Sequence, residues 1–73
     1  MLFRSIIKRV IEPARVACPT AVEIVFLACD IAMRYDEWKE AIKWCEIALE
    51  MRPNTPKALI NMAHCFQIGR AHV

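Results

Sequence analysis

The chain has 73 residues, 58% of them hydrophobic and 25% charged, with a formal net charge of +2 at pH 7. That length holds one small domain, too small to hide so many apolar side chains, so a partner, a ligand or more chain is expected to cover some of them. The weak charge gives no case for nucleic acid, and the longest unbroken apolar run, Ile24 to Cys29, falls far short of the ~18–20 residues of a bilayer span.

A first helix is expected to start near Leu2. Leu2, Phe3, Ile6, Ile7, Val10, Ile11 and Ala14 form an apolar stripe at the helical period, with Arg4, Lys8, Glu12 and Arg15 opposite. Pro13 predicts a kink or an end near Glu12, because proline removes a backbone donor and crowds the preceding turn. Residues 1–19 carry Arg4, Lys8, Arg9 and Arg15 against the single acid Glu12. This basic amphipathic segment resembles a mitochondrial targeting segment, and it also suits membrane contact through residues 1–15. A capping helix with a solvated basic face is the favoured reading.

A second helix is expected from about Ala21 to Arg34, opened by a capping box of Thr20 with Glu23. Apolar residues on nearly all its faces predict burial on more than one side. Tyr35-Asp36 makes a turn, with Asp36 the expected N-cap of a third helix through Met51. Its apolar side is Trp38, Ala41, Ile42, Cys45, Ala48 and Leu49. Lys43 is placed to pair with Glu40 or Glu46 for about 0.2–0.5 kcal/mol each. Thr55-Pro56 opens a fourth helix, with Leu59, Met62, Ala63 and Phe66 as its apolar face and Gly69 as its stop. No strand pattern appears, so the fold class is all-α with about four helices.

Four cysteines, Cys18, Cys29, Cys45 and Cys65, are separated by 11, 16 and 20 residues, and none of these gaps is a zinc-knuckle spacing. They read as small buried hydrophobes in a reducing compartment, in preference to a disulfide framework. His64 and His72 lack a third ligand, so no metal is expected, and no cofactor. An enzyme is not expected either. Cys65 and His64 are helical neighbours that point apart, no triad is evident, and one glycine cannot build a phosphate loop. The tail Ile68-Gly-Arg-Ala-His-Val73 reads either as a translated sequencing-adapter segment or as an ordinary frayed end, and carries no functional argument.

The pattern has a longer period. A shift of 34 residues puts Pro19 on Pro53 and Ala14 on Ala48, and puts Val25, Ala28, Cys29 and Ala32 on Leu59, Met62, Ala63 and Phe66. Asp36-Glu-Trp38-Lys-Glu-Ala41 and Ala48-Leu49-Glu-Met-Arg-Pro53 add a characteristic entry and ending of a second helix. Together these resemble the tetratricopeptide repeat (TPR) family, about one and a half repeats over residues 20–69. The resemblance implies antiparallel helical hairpins, a fragment of a right-handed α-solenoid. It divides the chain into a capping helix or degenerate half repeat (1–19), a hairpin (20–54), and the first helix of a second repeat with its tail (55–73). Val25, Ala28 and Ala32 are smaller than the family favours, Cys45 replaces a bulky residue, and Pro13 interrupts a segment that should be helical.

What the resemblance implies for function is a protein–protein scaffold or adaptor, holding a peptide or partner helix in a groove along the first helix of each hairpin. Residue by residue, the groove falls on Glu23, Phe26, Leu27, Asp30, Met33 and Arg34, with Lys57, Ile60, Asn61 and His64 beside them. Asn61 matches an asparagine that holds peptide backbone, and Lys57 a basic residue of chaperone-tail receptors. Phe26 and Asp30 stand where the rest of that carboxylate clamp is needed, which argues against a chaperone tail. Two alternatives remain: a self-associating subunit, and a peripheral membrane or mitochondrial adaptor using residues 1–15. The expected location is intracellular and reducing, the cytoplasm before the mitochondrion.

Overall fold

The computed structural model describes residues 2–71. Within them α1 (Leu2–Ile6), a π-helical turn (Ile7–Ile11) and α2 (Glu12–Ala17) run on as one N-terminal segment. Then follow α3 (Val22–Arg34), α4 (Trp38–Met51) and α5 (Pro56–Ala71). The chain is all-α, with no strand among the described residues. No helix among them is long and apolar enough to cross a membrane.

Each segment packs chiefly on its neighbours in sequence: the π turn on α3, α3 on α4, and α4 on α5. The product is a thin slab of 36 × 32 × 12 Å. Alanine and cysteine dominate the buried set: Ala28, Cys29, Ala32, Ala41, Cys45, Ala48, Ala58 and Cys65 are all 0% exposed. Small side chains at i, i+4 and i+7 of α4 (Ala41, Cys45, Ala48) let its neighbours approach closely from both sides. Two clusters result, one around Phe3, Cys29, Ala32, Ala41, Cys45 and Cys65, the other around Val22, Val25, Ala48 and Ala58.

The helix termini depart from expectation in identifiable ways. Pro13 neither ends the N-terminal segment nor leaves it regular. The Glu12 N–H donates to the Ile7 carbonyl, a five-residue reach that widens the turn and lets Pro13 enter α2 near its start. The Thr20–Glu23 capping box does not form, because Ala21 is the N-cap and has no side-chain bond to offer. Thr20 lies one residue too early. Asp36 is not the N-cap of α4 either. It sits at φ 58°, and Glu37 takes the cap position. The Glu37 N–H donates to the Ala32 carbonyl and the Asp36 N–H to that of Met33, which closes α3 as a Schellman motif with aspartate at its left-handed position.

Thr55 and Pro56 stand as expected before and at the start of α5, although the Thr55 hydroxyl donates back to the Arg52 carbonyl at 2.9 Å. Gly69 does not stop α5, which continues to Ala71; a lone glycine costs a helix only about 1 kcal/mol. The apolar face of α5 is also displaced. Ala58 and Cys65 are its buried residues among those whose burial is described, and Met62 packs half-buried against the core as expected, whereas Ala63 is exposed and Leu59 and Phe66 are 53% and 52% exposed. His72 and Val73, the end of the tail considered above, lie outside the described residues.

Candidate partner-binding groove

Glu23, Phe26, Leu27 and Asp30 recur at i, i+3, i+4 and i+7, the spacing of a single helix face. On α3 that face borders the first turn of α5. There the four residues and Lys57 line one open depression of about 250 Å³. Lys57 Nζ lies 5.1 Å from the Phe26 ring centroid, a cation–π contact worth about 0.5–1 kcal/mol at an exposed site. It ties the two helices together across the depression. Leu27 is 49% exposed beside it. The surface therefore offers an apolar strip with carboxylates on α3 and an ammonium on α5, features that suit a helix or peptide carrying both charges.

The remaining residues of the expected groove separate. Met33 is half-buried in the core, where its Sδ lies 3.9 Å from the Cys29 Sγ. Arg34 is exposed in the last turn of α3, where its charge complements the helix dipole. Ile60 and His64 are exposed on α5, at i+3 and i+7 from Lys57, and are not among the residues that line the depression. Asn61 turns inward beside Cys29, and its Nδ2 is buried with no acceptor in hydrogen-bonding geometry. Its amide nitrogen thus faces the Cys29 side of the α3–α5 boundary.

Sequence reasoning did not find the meeting of the thiols. Cys29 Sγ lies 3.2 Å from Cys45 Sγ and 3.6 Å from the Ala41 carbonyl oxygen. With Cys29 as donor, the hydrogen bond to Cys45 and then burial push the Cys29 thiol far above its ordinary range. The same bond holds the Cys45 thiol down. Burial pushes the Cys65 thiol up, with the nearby Cys29 adding to it. The available signal was positional: each of these cysteines sits on the small-residue face of its helix. Among the described residues, no three His, Cys, Asp or Glu side chains are arranged to hold a metal ion.

Two other depressions lie at the junctions between helices. One is lined by Glu12, Arg15, Val16 and Pro19, the other by the α4–α5 connection from Met51 to Pro56. Arg15 lies over the Trp44 ring, 5.5 Å from its centroid, so its charge is already engaged with α4. No family model matches the chain, and neither a curated protein nor a solved structure matches it.

Proposed function

We propose that the chain is a protein–protein interaction module built of TPR-like hairpins, and that it binds a partner helix or peptide through apolar helix faces. The observation that carries this reading is the α3–α5 depression, where Leu27 is left exposed between the carboxylates of Glu23 and Asp30 and the Phe26–Lys57 pair. The tight turn that reverses the chain between α3 and α4 supports the hairpin reading, as does the run of chain neighbours packed one on the next. Catalysis has no comparable support, since the close-set thiols are fully buried. The N-terminal segment spends Phe3 and Ile11 on the core, which favours a capping role over a membrane-surface one. Free thiols at all four cysteines suit a reducing compartment, the cytoplasm first.

The test is to pan a random-peptide display library on the immobilised chain and on Leu27→Glu. Because Leu27 is half-exposed, the substitution is expected to leave helicity and melting within error while reducing capture of the enriched peptides at least tenfold. Peptides that bind both proteins equally would remove the groove from the proposal.

A further inference from the structure

Cys29 and Cys45 come from different helices, α3 and α4, and neither belongs to the groove. Their sulfurs stand 3.2 Å apart, so a movement of about 1 Å would bring them to the ~2.05 Å of a disulfide bond. Both residues are fully buried. Met62 and Cys65 of α5 pack in the same cluster, so α5 contributes to covering the pair. The hydrogen bond between the thiols, with Cys29 as donor, gives them unequal tasks. It pushes the Cys29 thiol up and holds the Cys45 thiol down, which makes Cys45 the readier nucleophile. Asn61 adds an amide nitrogen beside Cys29, buried and without an acceptor. Its N–H is available to the negative charge that develops on Cys29 when that thiol gives up its proton.

We propose that Cys29 and Cys45 form a reversible oxidation site, at which hydrogen peroxide converts the two thiols into a disulfide that staples α3 to α4. Burial selects the oxidant: a small uncharged peroxide can enter on a slight loosening of α5, whereas a peptide-sized disulfide such as oxidised glutathione needs a wide opening. In the first step the Cys45 sulfur, as thiolate, attacks one peroxide oxygen. The O–O bond breaks, and the departing hydroxide takes up the proton that Cys45 has lost, leaving as water. Cys45 is then a sulfenic acid. In the second step the Cys29 sulfur attacks the Cys45 sulfur. An S–S bond forms, the S–O bond breaks, and the hydroxyl leaves as a second water with the Cys29 proton. Two thiols are oxidised and one peroxide is reduced to two waters. A small dithiol reverses the change by thiol–disulfide exchange. The staple removes freedom from the unfolded chain between the two cysteines and so holds the α3–α4 hairpin closed.

The test uses the full chain carrying Cys18→Ser, which removes the exposed thiol and leaves one cysteine in each of the tryptic fragments 16–34, 44–57 and 58–70. If that variant loses its fold, brief alkylation of the native wild-type chain with iodoacetamide masks Cys18 instead. The folded protein is treated with hydrogen peroxide, its remaining thiols are capped with maleimide in denaturant, and the digest is read by mass spectrometry. One cross-link, joining fragments 16–34 and 44–57, is expected, with Cys65 still capped and all three thiols restored by dithiothreitol. Oxidation in urea allows every pairing, so the Cys29–Cys45 link is expected to be enriched at least tenfold in the folded sample. Oxidised glutathione is expected to act at least tenfold more slowly than peroxide at the same concentration. In Cys29→Ala, Cys45 is expected to stop at a sulfenic acid that dimedone traps. Thiols untouched by peroxide, a link through Cys65, or pairing no more selective than in urea overturns the proposal. So does oxidation of Cys45 beyond the sulfenic acid while Cys29 is present.

Discussion

Cys65 stands outside the Cys29–Cys45 pair, fully buried, with a thiol pushed above its ordinary value of 9.0 by burial. In the unfolded chain that thiol ionises near 9.0; in the folded chain it keeps its proton to higher pH. Above that point the unfolded state binds fewer protons, so stability falls as pH rises, by at most about 1.4 kcal/mol per pH unit for one thiol. Urea unfolding between pH 7 and 10.5 is expected to show this decline, with a shallower slope in Cys65→Ala. An unchanged slope would mean that Cys65 is open to solvent. Asp36 is a second informative residue, since its φ of 58° is a conformation glycine adopts without steric cost. Asp36→Gly is expected to stabilise the fold by up to about 1 kcal/mol, the relief of left-handed strain less the added freedom of the unfolded chain. The composition made the thiols readable as small hydrophobes, and Cys29, Cys45 and Cys65 are buried as that reading requires, whereas Cys18 is exposed. Their contact was not readable, because it depends on the rotation of three helices about their own axes.

At the scale of the helices, α4 has the least room for change. Ala41 is 0% exposed and its carbonyl oxygen is 3.6 Å from Cys29 Sγ. Ala41→Trp is expected to drive α3 and α4 apart, costing at least the ~1–3 kcal/mol typical of overpacking, and to lower helicity and melting temperature together. An unperturbed melt would mean that the hairpin packs through another face. The apolar periodicity of α4 was legible because Ala41, Cys45 and Ala48 alternate with a run of charges, and the Glu40–Lys43 pair forms at 3.5 Å. That of α5 was not, because apolar residues occur on several of its faces. Periodicity alone then picked out Leu59, Met62, Ala63 and Phe66, of which only Met62 packs on the core, when the space beside α4 accommodates Ala58 and Cys65. The caps were missed by single residues: hydroxyl and carboxylate side chains mark a boundary, but whether Thr20 or Ala21 caps α3 depends on how Cys18 and Pro19 turn. Of the groove, the helical spacing brought out Glu23, Phe26, Leu27 and Asp30, while the inward turns of Met33 and Asn61 follow from core contacts that no spacing records.

The whole molecule is a slab 12 Å thick in its Cα trace, with each helix supported mainly by those next to it in sequence. That arrangement has a kinetic consequence. Contacts between chain neighbours close short loops, which places such a fold among those forming in microseconds to milliseconds. The α3–α4 pair, sharing the densest set of small buried side chains, is the natural first unit, with α5 and the N-terminal segment added from opposite ends. Unfolding should run the other way. Native-state hydrogen exchange is expected to give the slowest amides in α4, which has neighbours on both sides, and faster ones in α5, which rests chiefly on α4. Uniform protection across the helices would instead mean that the slab opens as a single body. Under peeling, the end helices spend part of their time detached while the central pair stays closed. An interacting protein could then gain access to α5 by waiting for the chain's own fluctuations, without having to unfold it.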